Sequence, residues 1–280
     1  MKVSIIIVNY NSAELLRNCL ESIDNELDID YEVIVVDNAS NDNSIALCSR
    51  FREDSRYIFI ESKDNAGFAK GCNMGAAAAS GEILHFLNPD TELQKGSTAD
   101  YLKVMENPQY IYVTPLINRD GSVENGKMVL PLLSDIFWWN ISRKRARFWC
   151  KGASVIISNE NFEKVGRWSE DYFMYGEDLD LFYNFWRHNL KIEMLQVPVF
   201  HFGGGCSSNV WSTFDREVIV QRSFRRFYSK YFPKWKYVAV KLYFLLHNLI
   251  KHPSRVKFDI KAWKKACSMP CKGIRTSCVF

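Results

Sequence analysis

Four times in the first 106 residues an apolar run gives way to a helical pattern: "VSIIIV" then 12–24, "EVIVVD" then 43–52, "YIFIE" then 67–79, and "EILHFL" then 97–106. Continuous apolar strands joined by helices require a mostly parallel sheet covered on both faces, hence an α/β fold. Ligands of such sheets bind beyond the carboxyl ends of the strands. Attention therefore falls on Asn9-Tyr10-Asn11, Asp37-Asn38-Ala39-Ser40, Asn65 and Asn88-Pro89-Asp90. Pro89 cannot donate to a sheet ladder, so the strand ends there and presents Asn88 and Asp90 at its tip.

From about 115 to 150 the pattern weakens, with "NRDGSVENG" turn-rich and "RKRARFW" basic, and a flexible excursion over the site is expected. Order returns with "KGASVIIS" as a strand, "NENFEKVG" as a short helix closed by Gly166, and "GEDLDLFYNFWRHN" as a helix opened by its own acids. "IEMLQVPVFHF" reads as a further strand, ended by glycines 203–205.

The net charge of +4 conceals a division. Residues 1–210 hold 20 Lys+Arg against 29 Asp+Glu, whereas residues 211–280 hold 16 against 3. Two units are expected, a catalytic body over 1–210 and a basic helical extension over 211–280, the latter facing an anionic surface. Val220, Phe224, Phe227, Tyr228 and Tyr231 share one helical face, with Arg222, Arg225, Arg226 and Ser229 opposite, which reads as a basic amphipathic helix. The apolar "YVAVKLYFLLHNLI" carries Lys241 and His247 and falls short of the ~20 residues that span a bilayer, so lying in the interface suits it better. Basic and aromatic residues together also suit nucleic acid, but no RNA-binding motif accompanies them; a helix docked on a partner subunit is a third reading.

The opening apolar run is too short for a signal-peptide core, which points to a cytosolic start. Eight scattered cysteines, several inside apolar stretches, read as free thiols. Cys267 and Cys271 share a Cys-x3-Cys spacing without a histidine beside them, so zinc is a weaker reading than chance.

"VSIIIVNYN", "VIVVDNASND", "NAGFAKGCNMGAAAASGEILHFLNPDTEL", "GASVIISNENFEKVGRWSEDYFMYGEDLDL" and "HFGGGCS", in that order over roughly residues 3–207, resemble the successive motifs of glycosyltransferase family 2, in its rhamnosyltransferase-like branch. The resemblance implies a GT-A fold, a nucleotide-sugar donor, a divalent metal (Mg²⁺ or Mn²⁺) and inversion at the anomeric carbon. It sets Asn88 and Asp90 in the place of the Asp-x-Asp metal motif. Asp90 is the stronger metal ligand, and Asn88, which carries no charge, acts through water or the donor. His201 becomes an additional metal ligand. Asp37 is assigned to the nucleobase, and Asn65 and the Asn9-Tyr10 turn to the rest of the nucleotide pocket, Ser12 being left to helix capping. The Glu-Asp motif makes Asp178 the general base and Glu177 a neighbouring contact, with Asp180 structural.

Each assignment competes with a plainer one. Asp90 also suits a turn cap, His201 a structural histidine, and the acids of "GEDLDL" a helix N-terminus. Gly67, Gly71 and Gly75 are four apart on a helix without a Gly-x-Gly turn, so close packing is preferred over a phosphate loop. Related sequences usually read "EDVDLCLR", and Asn184 here replaces the arginine, which puts in doubt an acceptor or phosphate role for that helix. Trp168, Tyr172, Phe173 and Tyr175 suit sugar stacking or core packing equally.

The expected function is transfer of a sugar, by preference L-rhamnose from dTDP-L-rhamnose, to a hydroxyl of a lipid-linked or cell-surface glycan at the cytoplasmic face of the membrane. A UDP-sugar donor, hexose or galactofuranose, stands close behind. A non-catalytic nucleotide-sugar-binding scaffold is the reading from a different class.

Overall fold

The structure, a computed structural model, describes residues 1–124, 126–142, 145–203 and 212–269. Gly204, Gly205, Cys206, Cys271 and Cys278 lie outside the described residues, and with them the glycine turn after His201 and the Cys-x3-Cys pair.

Thirteen strands and ten α-helices follow in chain order among the described residues. The strands are β1 (Val3–Asn9), β2 (Tyr31–Asp37), β3 (Tyr57–Glu61), β4 (Ile83–Leu87), β5 (Thr91–Glu92), β6 (Ile111–Val113), β7 (Leu116–Ile117), β8 (Val123–Glu124), β9 (Lys127–Val129), β10 (Phe148–Cys150), β11 (Ser154–Ser158), β12 (Ile192–Met194) and β13 (Val199–His201). The helices are α1 (Ala13–Glu26), α2 (Ser44–Leu47), α3 (Phe68–Ala78), α4 (Ser97–Glu106), α5 (Leu133–Ile141), α6 (Asn159–Lys164), α7 (Glu177–Arg187), α8 (Thr213–Tyr231), α9 (Lys234–Lys251) and α10 (Pro253–Ser268).

The central sheet runs β12-β6-β11-β4-β1-β2-β3. It is mainly parallel, with β11 alone antiparallel to both of its neighbours. Every residue of β1, β2 and β4 is buried, as continuous apolar strands between two helical layers demand. Helix α3 lies directly on β1: a Cβ at Gly71 would stand 2.7 Å from Val8 Cγ1, and one at Gly75 2.5 Å from Ile6 Cγ2. Those two glycines serve close packing, as their spacing suggested.

Three segments differ from expectation. The helix expected over 43–52 is one α-turn followed by a 3₁₀ turn, Ser49–Glu53. Its buried anchors, Cys48 and Phe51, are three apart, and a 3₁₀ turn puts residues of that spacing on one side. "IEMLQVPVFHF" is two strands in two sheets. The Asp100 carboxylate takes the amides of Gln196 (3.1 Å) and Val197 (2.8 Å), and Pro198 has none, so no ladder crosses the gap. The described residues of 115–150 form a set of short elements. β7 and β8 join the sheet β5-β13-β7-β8, β9 pairs with β10, and α5 lies between those two strands in the chain.

The C-terminal helices also correct the sequence reading of the basic face. Phe227 and Tyr228 of α8 are buried in a cluster with Leu130, Leu132, Ile136 and Leu179. Arg225 donates to the carbonyls of Ala266 (3.3 Å), Cys267 (3.0 Å) and Met269 (3.4 Å), closing the end of α10, and Arg226 pairs with Asp171. Those two arginines are therefore engaged inside the fold. Most of the exposed apolar side chains of the C-terminal helices lie instead on α9, where Trp235, Val238, Leu242, Leu246, Leu249 and Ile250 form one stripe. No helix among the described residues is long and apolar enough to cross a membrane. The described cysteines are free, with Cys19, Cys48, Cys72 and Cys150 buried and Cys267 exposed.

Candidate active site

The first part of the site is the paired tips of β1 and β2, where Asn9 stands opposite Asp37. Asn9 is fully buried, and its Nδ2 donates to Asp37 Oδ1 (2.7 Å), with Ser44 Oγ (2.9 Å) and Ser40 Oγ (3.0 Å) also in reach. Asp37 accepts two further bonds, from Ser40 Oγ (2.6 Å) and Ser40 N (3.0 Å). Ser40 therefore braces the carboxylate rather than capping a helix. A carboxylate has about four acceptor positions, so Asp37 retains capacity for one more donor. Asn11 (φ 52°) and Ala39 (φ 63°) hold left-handed backbone in the two adjoining loops, a strain that recurs at functional sites. Tyr10 is half-buried on the first of them. Ser12 occupies the N-cap position of α1, but its side chain makes no capping bond.

Asn38, which the sequence placed at the tip of β2 without a role of its own, ties that tip to the next loop. Its Nδ2 donates to Asn65 Oδ1 (2.9 Å) and Gly67 O (3.1 Å), and its Oδ1 accepts from Ala66 N (3.0 Å). Asn65 also accepts from Gly67 N (3.0 Å). The two asparagines fasten the loop that leads into α3. Gly67 (φ 87°) must be glycine, because a Cβ there would stand 2.4 Å from Phe173 O. That carbonyl accepts from Phe68 N (3.1 Å), so the loop before α3 is tied to the segment preceding the acids.

The tip of β4 is the second part. Asn88 N donates to Ala153 O (2.9 Å), its carbonyl accepts from Thr91 Oγ1 (2.7 Å), and its Oδ1 is buried without a partner. β13 runs antiparallel to β5 with His201 opposite Thr91, and Phe202 N donates to Asp90 O (2.9 Å). His201 Nε2 consequently lies 3.6 Å from Asp90 Oδ1, and both side chains are largely buried. Burial pushes the imidazole pKa of His201 down and the Asp90 charge opposes this; Lys151 and Glu124, themselves an ion pair, act on it with opposite signs. A neutral imidazole beside a carboxylate is a ligand set that divalent metals accept. No cluster of three or more His, Cys, Asp or Glu is present among the described residues. The pair fits a cation whose remaining positions are filled by phosphate oxygens and water, as is usual where a metal serves a phosphorylated ligand.

The acids form the third part. Gly176 (φ 96°) precedes Glu177, and a Cβ on it would stand 2.8 Å from Ser223 Cβ. Glu177 is 7% exposed with Oε2 buried and unpartnered; burial and then the neighbouring Asp178 push its pKa well above the usual carboxyl range. Burial pushes Asp178 up to about 6, against the opposing pull of the amides of Leu179, Gly152 and Gly176. Leu179 N donates to Asp178 Oδ1 at 2.8 Å. The turn Gly152-Ala153 joins this part to the β4 tip: Ala153 O holds Asn88, and a Cβ on Gly152 would touch Asp178 Cβ at 3.4 Å.

Asp180 is structural, fully buried and bonded to Tyr172, Asn184, Lys230 and Tyr231. Asn184, where the arginine was expected, belongs to that same internal network. Trp168 and Tyr172 are core residues, whereas Phe173 and Tyr175 are half-buried. The contribution of α8 through Ser223 and Lys230 had no signal in the sequence, because these residues lie more than 40 positions from Gly176 and Asp180, which they respectively meet.

The model of the family described as Glycosyl transferase family 2 matches residues 4–162. The uncharacterized glycosyltransferase YfnE of Bacillus subtilis is 39% identical over 117 residues, 41% of this chain and 30% of that protein. The low-salt glycan biosynthesis hexosyltransferase Agl10 of Haloferax volcanii is 30% identical over 208 residues, 70% of this chain and 65% of its own. The rhamnosyltransferase WbbL of Escherichia coli is 27% identical over 222 residues, 71% of this chain and 81% of its own. The chain thus spans less than two thirds of the length of the first two. Among solved structures, Staphylococcus aureus TarS 1–349 in complex with UDP-GlcNAc superposes with a TM-score of 0.63 at 16% identity, over 95% of this chain and 79% of that one. GalNAc-T7 with UDP, GalNAc and Mn²⁺ gives 0.64 at 15%, over 96% and 56%. At such identities the likeness establishes the GT-A fold.

Proposed function

The chain belongs to glycosyl transferase family 2, and from that premise we propose a metal-dependent, inverting glycosyltransferase that moves a sugar from a nucleotide donor to a hydroxyl of a glycan acceptor. The observation that carries this reading is the juxtaposition, through one turn, of two unlike groups. A neutral histidine and a carboxylate stand at the strand tips, and a carboxylate of pKa about 6 stands at the start of α7. In this reading Asp178 takes the proton of the acceptor hydroxyl. A base of that pKa is ionised at neutral pH and still basic enough to share a proton in the transition state. Glu177 stays protonated beside it, so the pair bears one negative charge and does not repel an incoming hydroxyl. Asp37 accepts an imide N–H of the base through its remaining lone pair, while Asn9, Tyr10 and Asn65 shape the surrounding pocket and Asn88 meets the donor. Asp90 and His201 would hold Mg²⁺ or Mn²⁺, which when bound supplies positive charge against the diphosphate leaving group.

The preferred donor is dTDP-L-rhamnose, supported by the likeness to the rhamnosyltransferase WbbL over 71% of the chain. A UDP-sugar is the second reading, favoured by the UDP held in the two structural neighbours. The acceptor is a lipid-linked or cell-surface glycan, met at the cytoplasmic face of the membrane by the extension 211–280. The α9 stripe, with Lys234, Lys236 and Lys251 at its ends, supplies both apolar area and positive charge for an anionic lipid surface. Hydrolysis of a panel of dTDP- and UDP-sugars, with and without Mg²⁺ or Mn²⁺, tests the reading. Turnover of a UDP-sugar with none of any dTDP-sugar overturns the donor choice, and nucleotide binding with no turnover at all favours a scaffold.

A further inference from the structure

Helix α8 grips the segment that carries the acids from both sides. Lys230 Nζ donates to Ser169 Oγ (2.9 Å), lies 3.6 Å from Asp171 Oδ2, and donates to Asp180 Oδ1 (3.1 Å) and Oδ2 (3.0 Å). Arg226 pairs with Asp171, and Tyr231 OH donates to Asp180 Oδ1 (2.9 Å). Ser169 and Asp171 open the turn that leads to α7, and Asp180 lies in the first turn of the helix itself. Within this bracket come Tyr175 (φ 62°), Gly176 (φ 96°), Glu177 and Asp178. From the side of α3, the same turn is anchored by Phe68 N on Phe173 O (3.1 Å).

A non-glycine residue in left-handed backbone costs of order 1–3 kcal/mol and persists only where its surroundings over-determine it. Lys230 supplies that determination. It is the cation beside a fully buried carboxylate, and its loss leaves Asp180 with hydroxyl and amide partners but no counter-charge. Relief by movement of the turn would carry Asp178 with it.

We propose that Lys230 of the C-terminal helix is a positioning residue for the reaction, holding the turn that sets Asp178 against the acceptor hydroxyl. This rests on the reading of Asp178 as base. The consequence is that α8 belongs to the catalytic architecture, although its sequence lies beyond the motifs and reads as a surface-binding appendage.

The test compares Lys230→Met, Lys230→Arg and the double variant Asp180→Asn/Lys230→Met, which removes the uncompensated charge should the single variant fail to fold. Binding of UDP and dTDP with Mn²⁺ is measured by calorimetry, turnover with the nucleotide sugar that the donor panel selects, and protection of 169–176 by hydrogen exchange. Expected are a fall in kcat of about tenfold to a hundredfold in Lys230→Met, as for a small misplacement of a reacting group, with nucleotide affinity unchanged and kcat recovered in Lys230→Arg. A kcat equal to that of the wild type in a folded Lys230→Met or double variant overturns the proposal, as does a nucleotide affinity that falls in step with kcat. If the wild type neither binds nucleotide nor turns over, the reading of the site has failed. The clamp is then judged by exchange alone, with unchanged protection of 169–176 in Lys230→Met refuting it.

Discussion

His201 Nε2 and Asp90 Oδ1 lie 3.6 Å apart although 111 positions separate them in the chain, because β13 pairs with β5 and sets His201 opposite Thr91. Two short strands thereby bring a histidine and a carboxylate together at the tip of β4, the pair proposed to hold the metal. Asp90→Ala and His201→Ala are each expected to weaken Mn²⁺ binding at least about tenfold to a hundredfold, the loss that follows removal of even an outer partner of a metal ligand. Electron paramagnetic resonance titration with UDP or dTDP present measures this, and unchanged affinity in both variants refutes the assignment.

Asp178→Asn keeps the shape of the side chain and removes its basicity. Turnover is expected to fall about 10²- to 10⁴-fold with nucleotide affinity retained, the signature of lost general-base catalysis. Single-turnover kinetics beside calorimetry separates the two quantities. Loss of nucleotide binding would instead make Asp178 part of the donor pocket.

The raised pKa of Asp178 has two pH signatures. Activity, which needs the ionised base, is expected to rise with pH through an apparent pKa near 6 that belongs to the Glu177-Asp178 pair. Stability runs the other way. A folded pKa above the unfolded one means that the stability contributed by the proton is complete below pH about 4 and lost as pH rises through about 6. Asp178→Asn, neutral throughout, should therefore be more stable than the wild type at pH 8 by about 1–3 kcal/mol, and equal to it near pH 4. Thermal melts at the two pH values read the difference; a gain of equal size at both would point to packing.

Gly75→Ala drives a methyl group to 2.5 Å from Ile6 Cγ2 between α3 and β1. Overpacking of this kind costs about 1–3 kcal/mol, so the urea midpoint should fall with the slope unchanged. Gly166→Ala, where φ is 88° but open space surrounds the Cβ, should show only the backbone cost.

Leu242→Glu/Leu249→Glu on α9 is expected to release the protein from vesicles containing anionic lipid while leaving nucleotide binding intact, as read by vesicle sedimentation. Retained sedimentation refutes the assignment of α9 as the lipid-facing element. Deleting 211–280 would be a poor substitute, since Phe227 and Tyr228 are buried against Leu130, Leu132 and Leu179.

The parallel sheet, the placing of polar residues at the strand tips and the packing role of Gly71 and Gly75 were legible because they follow from local period and the absence of a side chain. The broken helix at 43–52 and the split of "IEMLQVPVFHF" were not. Each depends on distant or unlike partners: the burial of Cys48 and Phe51 in the core, and the Asp100 carboxylate that takes the amides of Gln196 and Val197.

The basic helix shows the limit most clearly. Its period and charge could be read directly, and they determined that 220–231 is helical and two-faced. Whether Arg225, Arg226 and Lys230 faced lipid or protein was decided by where Asp171, Asp180 and the end of α10 lie in space. By itself the sequence determined the principal strands and helices of the central sheet and which polar residues stand at strand tips, since those depend on near neighbours. Tertiary structure alone decided which charges meet, because a Coulomb interaction depends on distance and burial, and neither is a property of position along the chain.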